Sequence, residues 1–187
     1  MNLSMKDKTL TQSVDIMVPK SKKLIRLVLT GLLFAAAIVL SLVEDSLQLP
    51  VPAPGVKLGL SNIIVMYALF FLGKREAYCV AVLKALFVFI TRGPIACLLS
   101  LSGGILSITA IVLLILIFKD KLSYLTAGMA GAIFHNFGQL IAVSVIYTDL
   151  LAIVHLPVLL ISGVIAGIAT STLLRVFLPA FKKLGLK

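Results

Sequence analysis

Three polar residues stand close together inside one apolar segment of this chain, where each needs a hydrogen-bonding partner. His135 and Gln139 are four residues apart and share a helix face, and Asn136 lies beside them. Such a cluster can bind the polar part of a small molecule, and we predict substrate binding by all three. The alternative is hydrogen bonding between neighbouring helices, worth about 1 kcal/mol for each bond.

Lys84 lies near the middle of another apolar segment, residues 77–90. A lysine at the centre of a bilayer costs about 2.5–3.5 kcal/mol on insertion scales, so its ammonium group should face protein or a water-filled cavity. In a helical bundle it can meet the cluster around His135 and pair with an anionic group of a substrate. In so short a segment the side chain could instead snorkel to the membrane surface.

Three residues near predicted helix ends extend this candidate site. Lys57 precedes Asn62 at the start of a predicted helix, where free backbone amides favour anions. Arg92 ends the helix of Lys84 and is rotated about 80° from it. We predict substrate contacts for Lys57, Asn62 and Arg92. The alternatives to substrate contact fit equally well: Lys57 would be a solvated lysine in a turn, and Arg92 an ordinary arginine in a loop.

The sequence lacks the motifs of several catalytic and metal sites. Cys79 and Cys97 lie in apolar segments without a CxxC pair or a Cys/His cluster, so neither a zinc site nor a disulfide framework is predicted. There is no Walker A pattern, and we do not expect ATP hydrolysis by this chain alone. We predict no catalytic residues, no metal site and no cofactor.

Composition indicates what kind of fold must position these side chains. The chain has 187 residues, of which 60% are hydrophobic and 13% charged, and its mean hydropathy is +1.16. A soluble domain has about 45–50% apolar and about 25% charged residues. The sequence therefore predicts an all-α, polytopic membrane protein. The net charge of +10 does not indicate nucleic-acid binding, because the basic residues form short clusters between apolar segments.

Six apolar segments predict a bundle of six transmembrane helices. The second and third segments are shorter than the roughly 20 residues that a straight span needs. Pro157 is predicted to start the sixth helix or to kink it. We expect cytoplasmic tails at residues 1–22 and 182–187 around one transmembrane domain, residues 23–181. The segments are 27–43, 58–72, 77–90, 94–118, 122–147 and 150–177.

The distribution of basic residues predicts the orientation in the plasma membrane. With six spans, 14 of the 17 Lys and Arg residues lie on the cytoplasmic side. Lys57 and Arg92 lie outside together with Glu44, and Lys84 lies within the bilayer. This asymmetry favours a cytoplasmic location of both termini.

Small residues predict where helices approach one another closely. Gly31 and Ala35 form a small-xxx-small pair in the first helix, a face that suits either packing within the bundle or contact with a partner subunit. The Ser102-Gly-Gly104 patch in the fourth helix is interpreted as a packing surface.

These motifs together resemble a known family. Residues 54–62, the Ser102-Gly-Gly104 patch and the His135-Asn136-x-x-Gln139 run look like the Gx transporter family, over about residues 24–180. Its members often carry the name heptaprenyl diphosphate synthase component I. The family resembles the substrate-binding S components of energy-coupling factor transporters, which have six helices, cytoplasmic termini and a binding site for a vitamin or precursor near the outer face.

The resemblance implies a substrate-binding subunit of a transporter, for a small anionic or an isoprenoid-, quinone- or flavin-related precursor. Its expected partners are that small molecule, membrane lipid, a transmembrane coupling protein and ATPase subunits, and not nucleic acid. The resemblance also implies that the small residues of the first helix, Gly31 and Ala35, contact the partner subunit. The alternative is a non-catalytic membrane partner in prenyl diphosphate or menaquinone synthesis, or in quinone-linked electron transfer. Prenyl diphosphate synthases resemble one another in DDxxD motifs, and this chain has seven acidic residues but no two adjacent aspartates. We therefore expect no prenyl transfer by this chain alone.

Overall fold

The computed structural model describes residues 22–46, residues 59–146 and, with gaps, residues 157–176. All regular secondary structure in these residues is helical, which confirms the predicted all-α class. A 3₁₀ turn, Lys119–Lys121, follows the fourth helix. The helices are α1 (Lys22–Ser46), α2 (Leu60–Phe71), α3 (Lys74–Arg92), α4 (Pro94–Phe118), α5 (Tyr124–Ile146) and α6 (Val164–Leu173).

Two glycines with positive φ make the tight connections from α2 to α3 and from α3 to α4. Gly73 has a φ of 135° and Gly93 a φ of 89°, a region in which a side chain would be strained. The amide of Gly93 donates to Phe89 O at 3.0 Å and closes α3. Pro94 then begins α4, at a position where no amide hydrogen is needed.

The short helix α2 lies in the core of the bundle. Every residue from 63 to 69 is buried, and the ring of Tyr67 stacks on that of Phe71 with a centroid distance of 4.6 Å. Burial on all sides, rather than along one stripe, means that other helices surround α2. Helices α1, α3 and α4 pack against it.

Helices α4, α5 and α6 approach one another closely through glycines. A Cβ atom at Gly138 in α5 would lie 2.6 Å from Ser102 O in α4. A Cβ atom at Gly167 in α6 would lie 2.7 Å from Met129 Cα in α5. Because glycine has no side chain, these helices can pack closely at Gly138 and Gly167.

The protein has the helices of a membrane-associated protein. Three segments are long and apolar enough to cross a membrane, residues 23–44, 94–118 and 124–146. Helix α2 and the described part of α6 are apolar but shorter, and α3 is interrupted by Lys84. The six-span count therefore stays a prediction.

Several sequence-based predictions fall on residues outside the described ranges. They concern Lys57, its loop, and the two tails apart from Lys22, which begins α1. Pro157 has helical backbone, but residues 158–160 are not described, so the predicted kink stays a prediction.

The close approach of α4 and α5 can be tested at Gly138. Gly138→Ala should lower the free energy of unfolding by about 1–3 kcal/mol, because the new methyl group would overlap Ser102 O. Gly31→Ala is the matched control, since nothing lies within 4 Å of its Cβ position; the higher helix propensity of alanine should leave stability unchanged or raise it by up to about 1 kcal/mol. Thermal unfolding in lipid nanodiscs measures both, and equal effects would contradict the close approach.

Candidate ligand-binding cavity

A cavity of about 190 Å³ lies between the helices. Its wall includes Glu44 near the end of α1, Gly59 before α2 and Arg92 at the end of α3, so it lies toward the end of the bundle where these termini meet. It reaches inward to Ile108 and Ala132, in the middle of α4 and α5. All six helices contribute to its wall, α6 through Ala166 and Thr170.

The cavity brings together six of the seven residues predicted to bind a substrate. The seventh, Lys57, lies outside the described residues. Segments far apart in the sequence thus contribute residues to one cavity. Substrate binding by these residues stays a prediction. The six are Asn62 in α2, Lys84 and Arg92 in α3, and His135, Asn136 and Gln139 in α5.

Lys84 points into the protein, where α2 holds its ammonium group. The side chain is 7% exposed, and its Nζ donates to Asn62 Oδ1 at 2.7 Å and to Ser61 Oγ at 3.0 Å. Both acceptors lie in the first turn of α2 and are neutral. The ammonium group is therefore fixed at the cavity wall rather than directed to the membrane surface.

His135 faces the same space from α5, and it interacts electrostatically with Lys84. Its ring lies against Gly103 of α4, where a Cβ atom would be 2.8 Å from His135 Cε1. The Ser102-Gly-Gly104 patch, interpreted as a packing surface, thus makes room for the imidazole.

Two polar atoms of the wall are buried and have no hydrogen-bond partner among the described residues. They are Ser100 Oγ and His135 Nδ1. Buried polar atoms almost always have a partner, so these two are suited to contact a ligand. Interhelical hydrogen bonding remains the alternative for His135, because its ring also interacts with the backbone of Gly103 in α4.

Glu44 is a member of the site that sequence analysis did not identify. It was expected at the outer surface, but it is only 6% exposed and lines the cavity. Its carboxylate accepts a hydrogen bond from the Gly59 amide and interacts electrostatically with Arg92. The position of a carboxylate at the end of an apolar helix could have identified Glu44 as a candidate. The sequence does not show, however, that Glu44 contacts the start of α2.

Apolar side chains complete the wall. A ligand that matches this surface has one polar, anionic part beside Lys84 and an apolar remainder. The described residues include no cluster of His, Cys, Asp and Glu that could hold a metal ion. The apolar residues of the wall include Val65, Met66, Leu69, Val88, Leu99, Ile108 and Ile111.

Comparison with known proteins identifies the family. The family model for heptaprenyl diphosphate synthase component I matches residues 33–177, more than half of the chain. The chain belongs to the heptaprenyl diphosphate synthase component I family. The matched region contains every residue of the cavity wall, and the family name describes one part of a multi-component assembly. No curated protein and no solved structure matches the chain.

The contact between Lys84 and Asn62 can be measured with a double-mutant cycle. Asn62→Leu should destabilise the protein by about 1.5–3 kcal/mol, because the buried ammonium group loses an acceptor. The same change in a Lys84→Met background should cost much less, since no ammonium group remains. Thermal or denaturant unfolding of the four proteins gives the coupling energy. A coupling near zero would mean that Lys84 and Asn62 do not form the contact.

Proposed function

We propose that this chain is an integral-membrane substrate-binding subunit of a transporter. The observation that carries the proposal is the cavity, whose wall contains Lys84 and also Ser100 and His135. Ser100 Oγ and His135 Nδ1 are buried and have no hydrogen-bond partner among the described residues. Lys84 binds an anionic group, and His135, Asn136 and Gln139 bind the neighbouring polar part. An isoprenoid-, quinone- or flavin-related precursor has such a polar part beside an apolar remainder.

The arrangement of basic residues supports a six-span bundle in the plasma membrane with its cavity toward the outside. Arg26 and Glu76 form an ion pair at 3.9 Å, which brings the starts of α1 and α3 together. The rings of Phe70 and Tyr124 meet edge to face at 5.1 Å, which brings the end of α2 to the start of α5. The basic clusters at these helix ends therefore share one end of the bundle, the cytoplasmic one by the positive-inside rule.

This orientation predicts which helix ends are accessible from outside. In a background without Cys79 and Cys97, Thr91→Cys should react with a membrane-impermeant maleimide on intact cells. Lys121→Cys should react only after permeabilisation, and so should tags at either terminus. Termini on opposite sides of the membrane would contradict the six-span bundle.

The transporter proposal includes a coupling protein and ATPase subunits that dock through α1. Gly31 and Ala35 are exposed, and nothing lies within 4 Å of the Gly31 Cβ position. The pair therefore does not pack tightly against the described helices, which supports contact with a partner rather than packing within the bundle.

Replacement of Gly31 and Ala35 by Leu should release a coupling protein and leave the isolated subunit folded. Thr126→Leu adds bulk at an exposed position of α5 and should leave the complex intact. Co-purification measures the complex, and thermal unfolding measures the subunit. Loss of folding would show instead that this face of α1 packs inside the bundle.

The family name favours a second candidate, a non-catalytic membrane partner in prenyl diphosphate or menaquinone synthesis, or in quinone-linked electron transfer. In both candidates this chain binds the small molecule and does not itself transfer a prenyl group. Co-purification separates them: ATPase subunits support the transporter, whereas a soluble prenyl synthase or a redox protein supports the second candidate.

Lys84→Met tests ligand binding directly. Removal of a buried charge should leave the stability of the unliganded protein unchanged or raised. Binding of the co-purified anionic molecule should weaken about tenfold or more, since a hydrogen bond to a charged group contributes about 1.5–3 kcal/mol. Lys84→Arg should restore it only in part, because the guanidinium group is planar and larger.

The measurement is thermal stability with and without that molecule. Equal ligand-induced stabilisation of the wild-type protein and of Lys84→Met would mean that Lys84 supports the fold and does not bind the ligand.

A further inference from the structure

Polar and apolar residues of the cavity wall lie in different parts of its length. In α2 the polar wall residues lie in the first turn, and the apolar ones follow between positions 65 and 69. In α5 the polar wall residues lie between positions 135 and 139, and small apolar ones lie between positions 128 and 132. The end of α2 meets the start of α5 at the rings of Phe70 and Tyr124. The two apolar stretches therefore lie at the same end of the cavity, which we call its inner part.

Gly104 of α4 lies between the polar part of the wall and the inner part. Ser100 lines the cavity one helical turn before it, and Ile108 lines it one turn after it. Among the described residues, a Cβ atom at Gly104 would contact only Ala81 Cβ, at 3.5 Å, which is an ordinary van der Waals distance. Because Gly104 lines the cavity, a larger side chain at this position would extend into it and narrow the passage between its two parts.

We propose that the ligand has an apolar chain that passes Gly104 and lies along the inner part of the cavity. Gly104 is then a specificity-determining residue, because it leaves room for this chain. Ile111 lies about 10 Å beyond Gly104 along α4, a distance that an extended chain of about eight carbon atoms covers. This inference deepens the proposed substrate-binding function and rests on it.

The chemistry of the two parts favours this orientation of the ligand. Ser100 Oγ and His135 Nδ1 are buried without a hydrogen-bond partner among the described residues, and a polar group of the ligand can supply one. A buried water molecule makes about three hydrogen bonds, and the inner part, with Leu69, Ile108 and Ile111 in its wall, offers few partners for them. An apolar chain is favoured there, because each methylene group removed from water contributes favourable free energy.

A matched pair of probes tests the inference, 3-methylbut-2-enoate and geranate, which share a carboxylate and one isoprene unit and differ in chain length. With the full chain in lipid nanodiscs, titration against the melting temperature should show that geranate binds about tenfold or more tightly. Gly104→Val should remove most of this preference by weakening the binding of geranate, and should leave the binding of 3-methylbut-2-enoate unchanged. Gly31→Val is the matched control. It adds the same side chain to a helix position with nothing within 4 Å and should keep the preference.

The outcomes separate this inference from the proposed function. Equal binding of the two probes by the wild-type protein would overturn the inward path of the chain and leave a ligand-binding subunit. An undiminished preference in Gly104→Val, or an equal loss of both probes, would overturn the role of Gly104. If Gly104→Val does not fold, Gly104→Ala replaces it, since its methyl group would contact Ala81 at an ordinary distance, and a smaller loss of geranate binding is expected. No stabilisation by either probe would count against both the chain and the binding function.

Discussion

The position of the Lys84 ammonium group is the constraint on which the rest of this structure depends. A cation in the interior of an apolar helical bundle persists only where hydrogen-bond acceptors surround it. Ser61 and Asn62 supply these acceptors, so the first turn of α2 must lie beside the middle of α3. The burial of residues 63–69 of α2 and the tight turn at Gly73 allow this contact. The same contact forms one wall of the cavity.

The opposite wall of the cavity depends on two glycines, which have no side chain. Gly103 and Gly138 allow α4 and α5 to approach so closely that the His135 ring lies against the backbone of α4. A closely packed helix pair of this kind restricts the position of the ring between the two helices. His135 thus lines the cavity from α5 and Lys84 lines it from α3, so both side chains can act on one ligand.

Much of this arrangement could be predicted from the sequence, because in an apolar chain each buried polar residue is conspicuous. Helix α4 has the predicted bounds, and α1, α2, α3 and α5 differ from their predicted segments by a few residues. Lys84 and the His135 cluster were identified because polar side chains are costly in a membrane. Glu44 was missed because its role depends on Gly59, 15 residues away in the sequence, and sequence periodicity does not report such contacts.

The proposed function requires that the cavity of this family member binds a small molecule. The most direct measurement is mass spectrometry of small molecules extracted from gently purified protein, with the wild-type protein and Lys84→Met prepared in parallel. An amphiphilic anion should be enriched over the surrounding lipid in the wild-type sample and depleted in the variant. Identical extracts from both proteins would contradict a ligand-binding role for Lys84 and, with it, the proposed function of the cavity.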